Sequence, residues 1–370
     1  MSIAEATMAS STAARQRERF TEMRREGKAR HRDIAAALGL SEGELIAAFA
    51  GLDVDDPVAL RAVRLRAPWP QIVAALTPLG EVMALTRNES CVHEKVGVYD
   101  HVSADGHVGL VLGGAIDLRV FYMHWAHGFG VSERLADGTL QRSLQFFDAA
   151  GLAVHKVFLR EGSSVAAYEQ LVEGFAAADQ AAAMVVKPAP SAALETPDAD
   201  IDVAAFREQW TAMRDTHEFF GLIKRHGLAR PQALRLAPVG FAHGVEPGMA
   251  QQLLSLAAQR GVPIMVFVGN RGMIQIHSGP VHKVQVMGPW LNVLDPGFNL
   301  HLREDHIAAA WVVRKPTSDG LVNSLELFDA EGNTIAMFFG ERKPGRAELC
   351  SWRELLDDVT GTAQAGARAC

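Results

Sequence analysis

The chain has 370 residues, 48% hydrophobic and 21% charged, a balance that suits globular enzymes and binding proteins and excludes disordered or fibrous chains. At roughly 100 to 200 residues per domain, this length calls for two cores. Lys and Arg number 36 against 43 Asp and Glu, so the net charge of −7 repels nucleic acid and leaves any anion site to a local basic patch.

The first twenty residues mix small and charged types without an apolar core, and no apolar run approaches the ~18 residues of a membrane span. Neither export nor anchoring is expected. Cys91, Cys350 and Cys370 lie far apart and spell neither a paired framework nor a CxxC knuckle, which fits a reduced, cytoplasmic location.

Residues 32–38 and 42–49 form the first expected helix pair, with Gly39 and Ser41 as stop and cap. Strands are expected over 97–111, 116–123 and 140–147. Pro and small polar residues then dominate 176–200, the composition of a linker. A second helix pair follows over 206–213 and 216–226, with Gly227 at a left-handed C-cap. Period-two alternation takes over at 264–268 and 273–276, joined by Gly269-Asn270-Arg271-Gly272 as a hairpin. Further strands are expected over 281–287, 298–303, 308–314, 325–328 and 334–339. Helices at the front of successive short-turned strands give an α+β class with antiparallel sheets.

The chain also repeats itself. Ser143-Leu144-Gln145-Phe146-Phe147-Asp148 recurs from 324 as Ser324-Leu325-Glu326-Leu327-Phe328-Asp329, a displacement of 181 residues. Ile116-Asp117-Leu118-Arg119-Val120 meets Phe298-Asn299-Leu300-His301-Leu302, and Asn88 with Gly97 meets Asn270 with Gly279. Half the chain is too long for a solenoid period, so this is a tandem duplication. Residues 1–175 make the first repeat, 176–200 the linker and 201–370 the second repeat.

There is no GxxxxGK[ST], HExxH, GxSxG or CxxCH, and Gly128-Phe129-Gly130 lacks the third glycine and βαβ setting of a dinucleotide loop. Asp215-Thr216-His217-Glu218-Phe219-Phe220 opens a helix with Asp215 or Thr216 available as N-cap. Phe219, Leu222 and Ile223 form its core stripe, while His217, Phe220, Gly221 and Lys224 share another face. His217 is open to two readings, a solvated capping histidine or an axial ligand to a flat apolar cofactor. Arg119 alternates with Leu118 on a strand and is either an exposed-face partner of Asp117 or a cation held over a pocket. Lys315, Arg342 and Arg230 are scattered cations. Singly they read as surface charges, and convergent they would suit a dicarboxylate. His124 and His127 supply only a pair where zinc needs three or four ligands.

Longer stretches carry a family resemblance. Thr86-Arg87-Asn88-Glu89-Ser90-Cys91-Val92-His93-Glu94, Asp117-Leu118-Arg119, Asp215 to Phe220, Lys224-Arg225-His226-Gly227-Leu228, Met265 to Gly272, and Arg314-Lys315-Pro316-Thr317-Ser318-Asp319-Gly320 resemble the cytoplasmic haem-utilisation proteins of Gram-negative bacteria, the HemS/ChuS-type hemin transport or hemin-degrading factors. The resemblance implies haem in a cleft between the copies. His217 would be the proximal iron ligand, and Arg119 would reach the distal face. Lys315, Arg342 and Arg230 would meet the propionates. Phe267 and Met265 would line the rim, with Phe220 beside the imidazole. Phe339 and Met337 depart from the family's usual tyrosine and glutamine.

Such a site needs apolar walls, cations for the carboxylates and a neutral imidazole, which an ordinary pKa of about 6.5 supplies near pH 7. An arginine only donates and cannot act as a base. Two functions follow. One is a haem carrier taking imported haem from an inner-membrane importer and passing it on, to a haem oxygenase for example, for iron release. The other is an enzyme that opens the porphyrin with O2 and an external reductant. Membrane insertion is not expected, and the charge of −7 disfavours a nucleic-acid role.

Overall fold

The computed structural model describes residues 3–27, 30–53, 56, 58–103, 108–135, 137–189, 195–343 and 345–361, with side chains from Thr12 onward. Residues 104–107 of an expected strand, 190–194 of the expected linker, and Cys370 lie outside the described residues. The chain divides into two compact units, one of Met1–Arg87, Glu94–Pro190 and Asn270–Gln275, the other of Asn88–His93, Ser191–Gly269 and Ile276–Cys370. The division falls inside the expected linker. It also assigns one short segment of each sequence repeat to the unit built mainly from the other repeat.

The first unit runs α1 (Ile3–Glu26), α2 (His31–Ala37), α3 (Glu42–Ala47), β1 (Leu60–Leu65), α4 (Trp69–Ala74), β2 (Val82–Arg87), β3 (Cys91–Gly97), β4 (Val102–Ser103), β5 (Val108–Leu112), β6 (Asp117–Phe121), β7 (His127–Arg134), β8 (Leu140–Phe147), β9 (Ala153–Leu159) and α5 (Val165–Gly174). Strands β1, β7, β8, β9 and β2 pair antiparallel in that order, and β4, β5 and β6 form an antiparallel meander. Alternation puts Leu144, Phe146, Val157, Val82 and Ala84 on one face, against Ile72, Val73 and Leu76 of the α4 region and Tyr168 and Leu171 of α5. Phe129, Val131 and Phe147 face the other way, onto Phe20, Ile34, Leu45, Ile46 and Phe49. Ser41 and Glu44 start α3 with a reciprocal capping box.

The Gly128-Phe129-Gly130 stretch lies in the first half of β7. Close packing demands those glycines: a Cβ on Gly128 would lie 2.9 Å from Trp69, and one on Gly130 would lie 2.7 Å from Val172. The expected linker also needs correction. Its first part is tied to the first unit, with the Ala177 N–H donating to Arg64 O at 2.8 Å and the Lys187 N–H to Ala149 O at 2.7 Å. Cys91 is a buried free thiol, while Cys350 is disulfide-bonded, a pairing the spacing did not suggest.

The second unit runs α6 (Val203–Thr211), α7 (Glu218–Arg225), α8 (Arg230–Arg235), β10 (Ala242–Val245), α9 (Met249–Arg260), β11 (Ile264–Gly269), β12 (Met273–Gly279), β13 (Val284–Met287), β14 (Trp290–Asp295), β15 (Phe298–Arg303), β16 (Ala309–Thr317), β17 (Gly320–Phe328), β18 (Thr334–Gly340) and α10 (Cys350–Thr360). Strands β10, β16, β17, β18 and β11 repeat the antiparallel order of the first unit, and β13, β14 and β15 repeat its meander. One sheet face, with Ile264, Val266, Leu325, Leu327 and Phe338, is sealed by Leu253 and Leu254 of α9 and Trp352 and Leu355 of α10. The opposite face packs Val313 and Phe328 under Phe206, Trp210, Phe219, Leu222 and Ile223 of α6 and α7.

The duplicated asparagines show why the repeat persists in the turns. Asn88 Nδ2 donates to Gly269 O and Ile335 O at 3.1 and 2.8 Å. Asn270 Nδ2 donates to Arg87 O and Val154 O at 2.9 and 2.8 Å. Each side chain satisfies two strand-end carbonyls that would otherwise lack donors.

Candidate functional site

In the second unit, the sheet face that carries α6 and α7 continues beyond them as a half-buried apolar shelf. Met265 and Phe267 on β11 stand opposite Phe339 and Met337 on β18. The rings of Phe267 and Phe339 meet edge to face, centroids 5.0 Å apart. Two of the expected apolar contacts, Met265 and Phe267, therefore share this shelf with the two departures from the family pattern.

Beside the shelf lies a buried charge cluster. Glu326 on β17 is 0% exposed and accepts from Arg230 twice, Nε to Oε2 at 2.7 Å and Nη2 to Oε1 at 2.9 Å. Lys315 Nζ on β16 donates to Glu326 Oε1 at 2.7 Å, and Ser324 Oγ donates to the same oxygen at 3.1 Å. Both cations also rest on the ring of Phe219, Lys315 Nζ at 4.9 Å and Arg230 at 5.1 Å from its centroid. Met337 receives an Arg230 N–H at its sulfur, 3.5 Å away, and Phe339 lies 5.7 Å from Lys315 Nζ. Two cations and one carboxylate leave a net positive cluster. Burial alone would raise the Glu326 pKa, but Arg230 and Lys315 overcome it and hold the carboxyl far below the usual range.

Read singly, Lys315 resembled a solvated charge. It is instead 3% exposed, because β16 aims it inward between two aromatic rings and Glu326 compensates its charge. Arg342 is the more accessible cation, 3.7 Å from Asp319 in the β16–β17 turn.

His217 precedes α7. The expected helix start at Asp215 or Thr216 is displaced, because Asp215 turns its carboxylate onto His217 rather than capping the helix. The His217 backbone N–H donates to Asp215 Oδ1 at 2.8 Å, and the ring Nδ1 meets the same oxygen at 2.7 Å. A carboxylate can only accept, so a proton is assigned to Nδ1, and in the neutral imidazole the lone pair is on Nε2. The backbone N–H of His217 is the main influence holding the Asp215 carboxyl below its usual range, with its ring and Arg342 adding to the effect. The His217 side chain is 89% exposed, and Phe220 is 70% exposed.

The turn that bears His217 is fixed from beneath. Phe219 packs on Trp210 at 4.5 Å under the two cations, and the Ser318 N–H donates to Arg214 O at 2.9 Å. Gly227, at φ +65°, ends α7 as expected. Thus His217, Phe220, Arg230, Lys315, Arg342, Met265 and Phe267 all belong to the second unit, distributed over α7, α8, β11, β16 and the segment after β18.

Arg119 belongs to the first unit. It stands on β6, 30% exposed in its side chain, bonded to Asp117 and to Leu118 O, as the ordinary strand reading holds. The corresponding His301 of β15 bonds Asn292 Oδ1 through Nδ1 at 2.7 Å. Among the described residues no group of three or more His, Cys, Asp or Glu could hold a metal ion. Glu326 and the orienting role of Asp215 escaped the sequence reading. A signal for the first was present, since Glu326 introduces a charge where the other repeat has Gln145.

These features define a duplicated α+β protein whose second unit carries a solvent-facing imidazole at the start of α7, an apolar shelf and a cation cluster. The family model described as the haemin-degrading HemS.ChuX domain matches residues 39–175 and again 227–359, and the chain belongs to this family. The hemin transport protein HmuS of Yersinia pestis is 41% identical over 340 residues, covering 90% of this chain and 94% of that protein. The crystal structure of holo-PhuS, a heme-binding protein from Pseudomonas aeruginosa, superposes with a TM-score of 0.87 at 48% identity, covering 93% of this chain and 97% of that one. ChuS, described as an E. coli heme oxygenase, gives 0.82 at 39% identity, covering 93% of this chain and 99% of that one.

Proposed function

We propose that this protein binds haem as cargo, with His217 Nε2 as the axial iron ligand, and carries it within the cytoplasm from an importer toward iron release. The observation that carries this reading is the Asp215–His217 pair. A carboxylate on Nδ1 fixes the tautomer of the neutral ring and leaves Nε2 on an exposed side chain to bind a metal, as in ligating histidines whose other ring nitrogen donates to a carboxylate. Phe220 and the Met265, Phe267, Met337 and Phe339 shelf suit an apolar macrocycle. Arg342 and the outer edge of Arg230 supply donors for the two carboxylates, and Lys315 adds positive charge behind them. Bound haem would supply the iron; the protein holds it soluble and orients it. The family resemblance adds Arg119 as a candidate haem contact, and there a guanidinium can donate but not accept a proton. Among the described residues no helix is long and apolar enough to cross a membrane.

A second reading is ring opening, favoured by the family's haemin-degrading description and by the heme oxygenase ChuS. Haem-loaded protein given oxygen and a reductant, with catalase to remove free peroxide, separates the two. The carrier reading expects an unchanged Soret band and transfer to an added haem oxygenase. Loss of the band with a defined tetrapyrrole and released iron would replace it with the enzyme reading.

A further inference from the structure

From the second unit's charge cluster we infer that Glu326 is a positioning residue for the haem site, acting through Phe219 on the turn that carries His217. This rests on the reading of His217 as the iron ligand.

Glu326 gathers both cations. It accepts from Arg230 through both carboxylate oxygens and from Lys315 and Ser324 through one of them, and it is fully buried. The two cations it holds lie on the ring of Phe219, two residues after His217. Phe219 is 1% exposed, so its ring cannot move without moving the first turn of α7. One buried carboxylate thus sets the location of two positive charges and of the backbone that presents the imidazole.

The duplication supplies an internal contrast. Glu326 faces Met337 across β17 and β18, as Gln145 faces Lys156 across β8 and β9. Gln145 Nε2 donates to Ser143 Oγ at 3.1 Å, while Glu326 accepts from Ser324. The shared fold therefore tolerates a neutral amide at this strand position. The carboxylate occurs in the unit that bears His217.

The test compares Glu326→Gln with Glu42→Gln, which breaks an equally buried ion pair in the first unit. The His217 ring Cε1–H resonance is followed in the haem-free protein, assigned by its loss in His217→Ala, and haem loss to apomyoglobin is timed. Glu326→Gln should shift that resonance and speed haem loss about tenfold, as is common when an outer-shell partner is removed. Glu326→Asp should recover most of both. Glu42→Gln should change stability without changing either. If Glu326→Gln does not fold, Glu326→Asp, which keeps the charge but shortens its reach, should still shift the resonance and speed haem loss measurably, and wild-type values of both would overturn the inference.

A wild-type resonance and release rate in the folded Glu326 variant, or equal effects from Glu42→Gln, would overturn the inference. If His217→Ala binds haem as the wild type does, the ligand assignment itself fails, whatever Glu326 does.

Discussion

The two units share a strand order but use buried charge in different ways. In the first, the carboxylate comes from a helix: Glu42 of α3 meets Lys156 Nζ of β9 at 2.5 Å and Arg87 of β2 at 2.7 Å. Helix α3 is thereby locked to the sheet. In the second, Glu326 comes from a strand and holds Lys315 of β16 and Arg230 of α8, both resting on an aromatic ring next to an exposed imidazole. One cluster closes a surface, whereas the other supports one that stays open.

The sharpest way to break this contrast is to remove the first clamp. Glu42→Gln leaves Lys156 buried and unpaired and should cost about 3–5 kcal/mol of unfolding free energy in urea, with haem binding unchanged. Burial would raise the Glu42 pKa, but Lys156 and Arg87 bring it down to about 2. Its contribution should therefore be present above the unfolded value near 4.5 and vanish as pH falls through 2, and the variant should lose that acid dependence.

A smaller effect should come from the second unit. Burial pushes the Glu348 carboxyl up to about 7, against the bonds it accepts from Asn323. A raised carboxyl stabilises the fold below its unfolded value of 4.5 and loses that contribution as pH rises through 7. Urea midpoints should decline from pH 5 to 8, by the equivalent of about 2 kcal/mol, and Glu348→Gln should flatten the decline. An equal slope in both proteins would exclude Glu348 as the cause. The smallest effect is expected at Arg119, whose ion pair with Asp117 is partly exposed. Arg119→Ala should change stability by less than about 1 kcal/mol and leave haem bound, while altering its ferric spectrum. An unaltered spectrum would remove Arg119 from the site.

Much of this architecture is legible in the residues. The duplication, the helix pairs and the α7 core stripe follow from periodicity, and Phe219, Leu222 and Ile223 are buried as the stripe requires. Strand β7 is not among the expected strands, since Gly128 and Gly130 weaken the strand pattern, and only the structure shows Trp69 and Val172 filling the space of their absent side chains. The family resemblance put the candidate residues in view, yet the environment of Lys315 was hidden. Its counter-ion lies across a strand pair and one of its aromatic covers on a distant helix, and a sequence shows neither. Asp215 read as a helix cap because its preference for that place is local, whereas its bond to the imidazole depends on a turn geometry that periodicity does not describe.

If an imidazole of the second unit holds the iron, titrating haem into His217→Ala while recording the Soret band will reveal its loss. The band should shift and affinity should fall by more than about 100-fold, beyond the ~10–100-fold typical of losing a group that only supports a ligand, with His124→Ala unchanged. A wild-type band and affinity in His217→Ala, or equal losses in both variants, would contradict it.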